Sequence, residues 1–184
     1  LDAVELLPFR EAIAANVDAI MTAHLLVPAI EDDPSRPATL SPKVLTGLLR
    51  EELGYQGLIV SDALGMQALA QLYSLPDAAV LAVQAGVDVL TFGGEGSAWA
   101  ADQLAVYQRL VQAVGTGEIS MARLDDAVQR ILTIKDRRGI LDRPASGRAP
   151  GSAVGNEGQS ALASMAYDDS ITLLRDDAEL VPVQ

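Results

Sequence analysis

Three stretches of the chain repeat one pattern of apolar and polar positions. They are Asn16-Val17-Asp18-Ala19-Ile20-Met21-Thr22-Ala23-His24, Gly54-Tyr55-Gln56-Gly57-Leu58-Ile59-Val60-Ser61-Asp62, and Gly86-Val87-Asp88-Val89-Leu90-Thr91-Phe92-Gly93-Gly94. Each opens at a helix-stopping Gly or Asn, crosses a short apolar run and ends in small or polar residues. Such a run bounded by turn residues predicts a buried parallel strand. The runs begin near Ala19, Leu58 and Val89, about 39 and 31 residues apart, which is the size of a βαβ unit. The intervening stretches predict helices. Residues 6–16 carry Leu6, Phe9 and Ile13 at helical spacing, continued by Val17 just beyond. Ser41-Pro42 starts a helix that Gly54 stops, and Pro76 starts one that ends at Gly86. Residues 97–114 and 120–138 predict two longer helices, the second begun by Ser120 and stopped by Gly139.

Past Gly139 the texture changes. Residues 142–158 are rich in Pro, Gly, Ser and Ala and predict a linker between residues 1–141 and 159–184. A short helix over 159–167 and a strand over 170–174 follow. One helix and one strand cannot close a core, so this end is expected to be the start of a second α/β domain. Three βα units are likewise too few for a closed parallel barrel, which takes eight strands. The pattern therefore fits either a small open parallel sheet or the last part of a barrel.

Charge narrows the partners. Of 184 residues, 13 are Lys or Arg and 25 are Asp or Glu, a formal net charge of −12. That balance argues against nucleic acid and anionic membranes, which need a basic surface. The absence of cysteine excludes a disulfide framework, a thiolate nucleophile and a zinc-thiolate site. The single histidine, His24, cannot build a multi-histidine metal site. No apolar run is long enough for a membrane span. The first residues do not read as a signal peptide and lack an initiator Met, which leads us to expect a piece of a longer protein.

Active sites of parallel α/β folds lie at the carboxyl ends of the strands. His24, the Ser61-Asp62 pair and Gly93-Gly94 fall there. Asp62, directly after its apolar run, emerges where a substrate would sit; the alternative is a cap for a helix beginning near Ala63. His24 holds the matching place after the first run; its alternative is a core histidine bonded to a backbone carbonyl. Gly93-Gly94-Glu95-Gly96 has no following Lys and reads better as a turn than as a phosphate loop. Glu31-Asp32-Asp33 reads as a solvated loop rather than a cation site.

These residues also carry a resemblance. Leu7-Pro8-Phe9-Arg10, Ile20-Met21-Thr22-Ala23-His24, Pro37-Ala38-Thr39-Leu40-Ser41-Pro42, Leu49-Arg50-Glu51-Glu52-Leu53-Gly54-Tyr55-Gln56-Gly57 and Val60-Ser61-Asp62-Ala63-Leu64-Gly65-Met66 resemble glycoside hydrolase family three, in that order. Ala85-Gly86-Val87-Asp88-Val89-Leu90, then Arg123-Leu124-Asp125-Asp126-Ala127-Val128 and Ser170-Ile171-Thr172-Leu173-Leu174-Arg175, extend it. The bacterial β-N-acetylhexosaminidase branch is favoured by His24 and Met66, although Ala63 stands where many of its members have a second Asp.

The resemblance implies an α/β fold: the C-terminal part, about three βα units, of a TIM-like (β/α)₈ barrel, then a linker and the first strand of an α/β-sandwich domain. It implies a retaining glycosidase with Asp62 as nucleophile, and with His24 and Met66 lining the sugar pocket. The expected substrate is a carbohydrate with a terminal β-linked N-acetylhexosamine, as in peptidoglycan recycling. No metal and no cofactor are implied. The family's general acid falls outside the chain, so the chain alone is expected to be inactive. Its open sheet edge beside Ala19-Ile20-Met21 is expected to pair with the remainder of the parent protein or with a second copy. The rival readings are a β-glucosidase of the same family, a phosphate-binding α/β protein using Gly93-Gly94, and a non-catalytic structural fragment.

Overall fold

The computed structural model describes residues 4–93, 99–142 and 155–172. The chain divides into two compact units, Leu1–Asp142 and Arg143–Gln184. In the first, helix α1 (Leu7–Ala14) ends where Asn16 takes φ 57°, and the chain turns into strand β1 (Ala19–Met21). A 3₁₀ turn (Ala38–Leu40) and a π-helix (Lys43–Glu52) lead to strand β2 (Leu58–Val60). Helices α2 (Gln67–Ala70), α3 (Leu75–Ala85), α4 (Trp99–Gly115) and α5 (Met121–Arg137) complete the unit.

β1 and β2 are parallel, with Ala19 opposite Leu58, Ile20 opposite Ile59 and Met21 opposite Val60. Ile59 is fully buried and centres the core, with Leu45 and Leu49 of the π-helix, Tyr55, Leu64, Leu69, Val87 and Val106 around it. Burying such a side chain contributes about 1.5–3 kcal/mol. Helix α3 is capped by Ser74, whose Oγ accepts the Asp77 N–H at 3.2 Å, and it buries Ala78, Ala79, Val80, Ala82 and Ala85. That small-residue face lets α4 approach closely. α5 starts at Ser120, whose Oγ accepts the Arg123 N–H at 3.2 Å.

The barrel expectation is overturned. Among the described residues helices dominate, and the sheet is open with two strands of three residues each. Two such strands cannot close a barrel. The third apolar run does not become a strand. It meets β2 at one bridge, Val60 to Val89. The Ser61 N–H still donates to the Val89 carbonyl at 2.9 Å, but side chains then displace the ladder. The Thr91 N–H donates to Ser61 Oγ at 2.9 Å, and the Thr91 hydroxyl donates to the Ser61 carbonyl at 2.6 Å.

In the second unit, helix α6 (Glu157–Ser170) is capped by Asn156, whose Oδ1 accepts the Gln159 N–H at 3.0 Å. The expected strand over 170–174 does not form in its described part. Ser170 closes the helix, its hydroxyl donating to the Tyr167 carbonyl at 2.7 Å, and Ile171 and Thr172 have no strand partner. Leu173 and Leu174 lie outside the described residues, as does most of the expected linker. No helix among the described residues is long and apolar enough to cross a membrane.

Candidate active site

The carboxyl end of the small sheet brings His24, Asp62, Met66 and Gly93 to one turn. Asp62 lies two residues past the end of β2, after Ser61, and is half-buried. Its backbone N–H donates to Thr22 Oγ1 at 3.3 Å, which ties it to the residue after β1. Its Oδ1 accepts the Ala63 N–H at 2.7 Å. That bond fixes the carboxylate rotation, and among the described residues no cation pairs with the group. No helix begins at Ala63. The chain turns through residues 63–66 and the next helix, α2, starts at Gln67 with Met66 before it. The helix-cap alternative for Asp62 therefore fails.

His24 is half-buried rather than core, and both ring nitrogens are engaged, one of them by a backbone carbonyl, the bond that the alternative reading of this residue describes. Nε2 donates to the Ala63 carbonyl at 3.0 Å, and Nδ1 lies 2.9 Å from Thr39 Oγ1. The carbonyl only accepts, so the partners assign the ring proton to Nε2. Ala63 O also accepts the Met66 N–H at 3.1 Å, so one carbonyl holds His24 and Met66 together. Met66 is 43% exposed.

Gly93 closes the other side. The Leu64 N–H donates to Thr91 O at 3.1 Å, drawing the third run onto the Asp62 turn. A Cβ on Gly65 would lie 2.2 Å from the Gly93 carbonyl oxygen, so only glycine permits this approach. Gly94, Glu95 and Gly96 of the glycine-rich segment lie outside the described residues.

Two residues of the site escaped the sequence reading. Thr22 is 9% exposed and Thr39 is fully buried, and their hydroxyls meet at 2.8 Å. Thr22 had a local signal, standing two residues before His24 on the same face of an extended segment. Thr39 had none. It arrives because the Ala38 N–H donates to Leu25 O at 2.8 Å and the Thr39 N–H donates to Ala23 O at 3.3 Å.

The carboxylates of Glu31-Asp32-Asp33 are taken up by groups of the protein itself. Glu31 Oε2 accepts the Ser41 hydroxyl at 2.5 Å, a bond that holds its carboxyl below the usual range. Asp32 pairs with Lys43, and Asp33 binds Ser35 and Arg36. Among the described residues no group of three or more His, Asp or Glu is placed to hold a metal ion.

A half-buried carboxylate with one oxygen held by a backbone N–H and no cationic partner among the described residues, beyond the carboxyl end of parallel strands, is suited to attack an electrophilic carbon. The comparison with protein families shows which family the chain belongs to. Residues 1–134 match the N-terminal domain of glycosyl hydrolase family 3. The chain belongs to that family. It resembles the structure of a family 3 β-N-acetylglucosaminidase from Paenibacillus sp. str. FPU-7, with 42% identity and a TM-score of 0.77 over 97% of this chain and 33% of that one. The β-hexosaminidase A of Pseudoalteromonas piscicida is 32% identical over 199 residues, covering 96% of this chain and 33% of the relative. The β-N-acetylglucosaminidase/β-glucosidase of Cellulomonas fimi is 31% identical over 186 residues, 95% of this chain and 31% of the relative. The family 3 chain described here thus spans about a third of the length of these relatives.

Proposed function

We propose that this chain carries the nucleophile of a retaining glycoside hydrolase that releases terminal β-linked N-acetylhexosamine. The observation that supports it most is Asp62 itself, a carboxylate at the carboxyl end of β2 with one oxygen fixed by Ala63 N–H and no helix to cap. A carboxylate oxygen of Asp62 bonds to the anomeric carbon as the glycosidic C–O bond breaks, and the leaving oxygen takes its proton from a general acid. Water, deprotonated by the same group, then attacks the anomeric carbon and frees the sugar and Asp62. His24 and Met66, held to the Asp62 turn through Ala63 O, are the residues we assign to the sugar. Their presence, with two relatives named for N-acetylglucosaminidase or hexosaminidase activity, favours the amino sugar over glucose.

His24 has both nitrogens occupied, so the general acid is a group other than His24. The resemblance puts the family's general acid outside these 184 residues, so the isolated chain is expected to be inactive, since a missing acid/base alone costs ~10²–10⁴-fold. The partner that completes it is the rest of its gene product, covering the exposed edge of β1. There Met21 is 61% exposed beside an apolar groove of about 290 Å³ lined by Leu6, Phe9, Ile20, Val44 and Leu48.

The test is Asp62→Asn in the natural gene product, assayed with 4-nitrophenyl N-acetyl-β-glucosaminide and 4-nitrophenyl β-glucoside. Asn keeps an oxygen for the Ala63 N–H but loses the charge and the nucleophile. The expected outcome is loss of hydrolysis with the melting temperature nearly unchanged, and preference for the amino sugar in the parent enzyme. Retention of more than about a tenth of the rate, a loss of only ~1.4 kcal/mol, contradicts the assignment.

A further inference from the structure

Four hydrogen bonds outside the carboxylate form one continuous chain around it. The Asp62 N–H donates to Thr22 Oγ1 at 3.3 Å, the two threonine hydroxyls meet at 2.8 Å, Thr39 Oγ1 lies 2.9 Å from His24 Nδ1, and His24 Nε2 donates to Ala63 O at 3.0 Å. With the ring neutral and its proton on Nε2, every bond has one direction. Thr22 accepts from Asp62 and donates to Thr39, Thr39 donates to Nδ1, and Nε2 donates to Ala63. The chain thus starts on the peptide just before the Asp62 side chain and ends on the peptide just after Ala63. Between these anchors lies the Ala63 N–H, which holds Asp62 Oδ1 at 2.7 Å.

We propose that Thr39 is a positioning residue for Asp62. It is the middle link of a Thr22–Thr39–His24 strut that clamps both ends of the Asp62-Ala63 dipeptide and thereby aims the carboxylate. This rests on the reading of Asp62 as the nucleophile. The Thr39 hydroxyl bonds to Thr22 and His24 and makes no hydrogen bond to Asp62. It is fully buried and its hydroxyl links Thr22 to His24. Ordinary packing does not call for a hydroxyl here, since Val would fill the same volume. The hydroxyl is needed because Thr22 must donate to an acceptor and His24 Nδ1 must accept from a donor, and Thr39 alone serves both among the described residues. The effect on catalysis follows from reach. Attack requires the carboxylate oxygen within roughly 3–3.5 Å of the anomeric carbon along the reaction axis, and a 1 Å misplacement costs on the order of 10²-fold.

The experiment compares Thr39→Val, Thr39→Ser and Asp62→Asn in the natural gene product with 4-nitrophenyl N-acetyl-β-glucosaminide, measuring kcat, KM and melting temperature. Thr39→Val is expected to lower kcat roughly 10- to 100-fold with KM changed less than about threefold, because aim is felt in the transition state and not in sugar binding. Thr39→Ser restores the hydroxyl and is expected to return most of kcat. A Thr39→Val enzyme that melts lower but keeps its kcat overturns the proposal, and so does a loss that Ser does not rescue. If Thr39→Val does not fold, Thr22→Val cuts the same chain one link away, and an unchanged kcat there overturns the proposal equally. Asp62→Asn separates the two readings. If it abolishes turnover while the threonine variants do nothing, only the strut is wrong. If Asp62→Asn remains active, the nucleophile reading falls and the strut with it.

Discussion

The two ends of the small parallel sheet treat their carboxylates in opposite ways. At the amino end every acid is matched by arginine. Asp88 has a fully buried side chain whose Oδ2 accepts from Arg50 Nη2 at 2.6 Å and from the Ile59 N–H at 2.9 Å, while Oδ1 accepts from Arg123 Nη2 at 3.0 Å. Arg50 also reaches the carbonyls of Tyr55 and Gly57, and Arg123 those of Val83 and Val87. Asp18, just before β1, is held by Arg137 and Arg138 from the end of α5. At the carboxyl end the bonds run between hydroxyls, amides and one imidazole, and Asp62 meets no cation among the described residues. Charge that is paired on all sides holds elements together and is chemically spent. Charge held in place by neutral donors keeps its nucleophilicity, and that difference separates the arginine-paired end of the sheet from the end that carries the proposed nucleophile.

Breaking the paired end should cost the most stability. Asp88→Ala leaves two arginines without their shared partner beneath the core, a loss of about 3–5 kcal/mol. A denaturant titration of the natural gene product is expected to show it, with the fraction that remains folded retaining the parent kcat. A fall in kcat larger than the folded fraction explains would mean that the two ends are not separable.

Gly65→Ala acts at the other end and should reverse that ratio of effects. Its Cβ would lie 2.2 Å from the Gly93 carbonyl oxygen, so the turn carrying Asp62 must shift. Forced overpacking of this kind costs about 1–3 kcal/mol. Turnover is expected to fall further than that stability loss accounts for, because the displaced turn carries the carboxylate. A variant with lower melting temperature and parental kcat would place the Asp62 turn outside the chemistry.

Acid should give the smallest and most selective effect. The Arg138 and Arg137 guanidiniums hold the Asp18 carboxyl below its ordinary value of 3.8, and Ser41 does the same for Glu31. A group whose folded value is depressed stabilises fully above its unfolded value and loses that contribution as pH falls through the folded one. The melting temperature is therefore expected to decline below about pH 4. Asp18→Asn should make that decline shallower. Superimposable acid curves for parent and variant would show that the Asp18 pair contributes no measurable stability.

How much of this was legible beforehand follows from the range of each interaction. The starts of β1 and β2 and the helix boundaries were carried by local punctuation. Gly86 stops α3 at φ 124°, Ser120 caps α5, and Gly54 takes φ 69° after the π-helix. The meeting of His24 with the Asp62 turn was readable from their equal places after similar apolar runs. What failed was the step from three similar runs to three strands and a barrel. Residues 86–93 carry the right apolar pattern, but Ser61 and Thr91 exchange side-chain bonds where a ladder would continue, and no periodicity reports that. The buried links were equally silent. Thr39 meets Thr22 across 17 residues, and Arg50 meets Asp88 across 38. Each of these residues reads locally as ordinary helix or turn.

The most direct test is to trap the covalent intermediate. A ring-fluorinated N-acetyl-β-glucosaminyl fluoride slows both steps by destabilising the oxocarbenium-like transition state, while its good leaving group favours the first, so the glycosyl-enzyme accumulates. Intact mass followed by peptide mapping of the natural gene product should find one sugar on the peptide containing Asp62, and none in Asp62→Asn. An adduct on any other carboxylate would contradict the assignment of Asp62, as would steady turnover of the substrate by a protein that never forms the adduct.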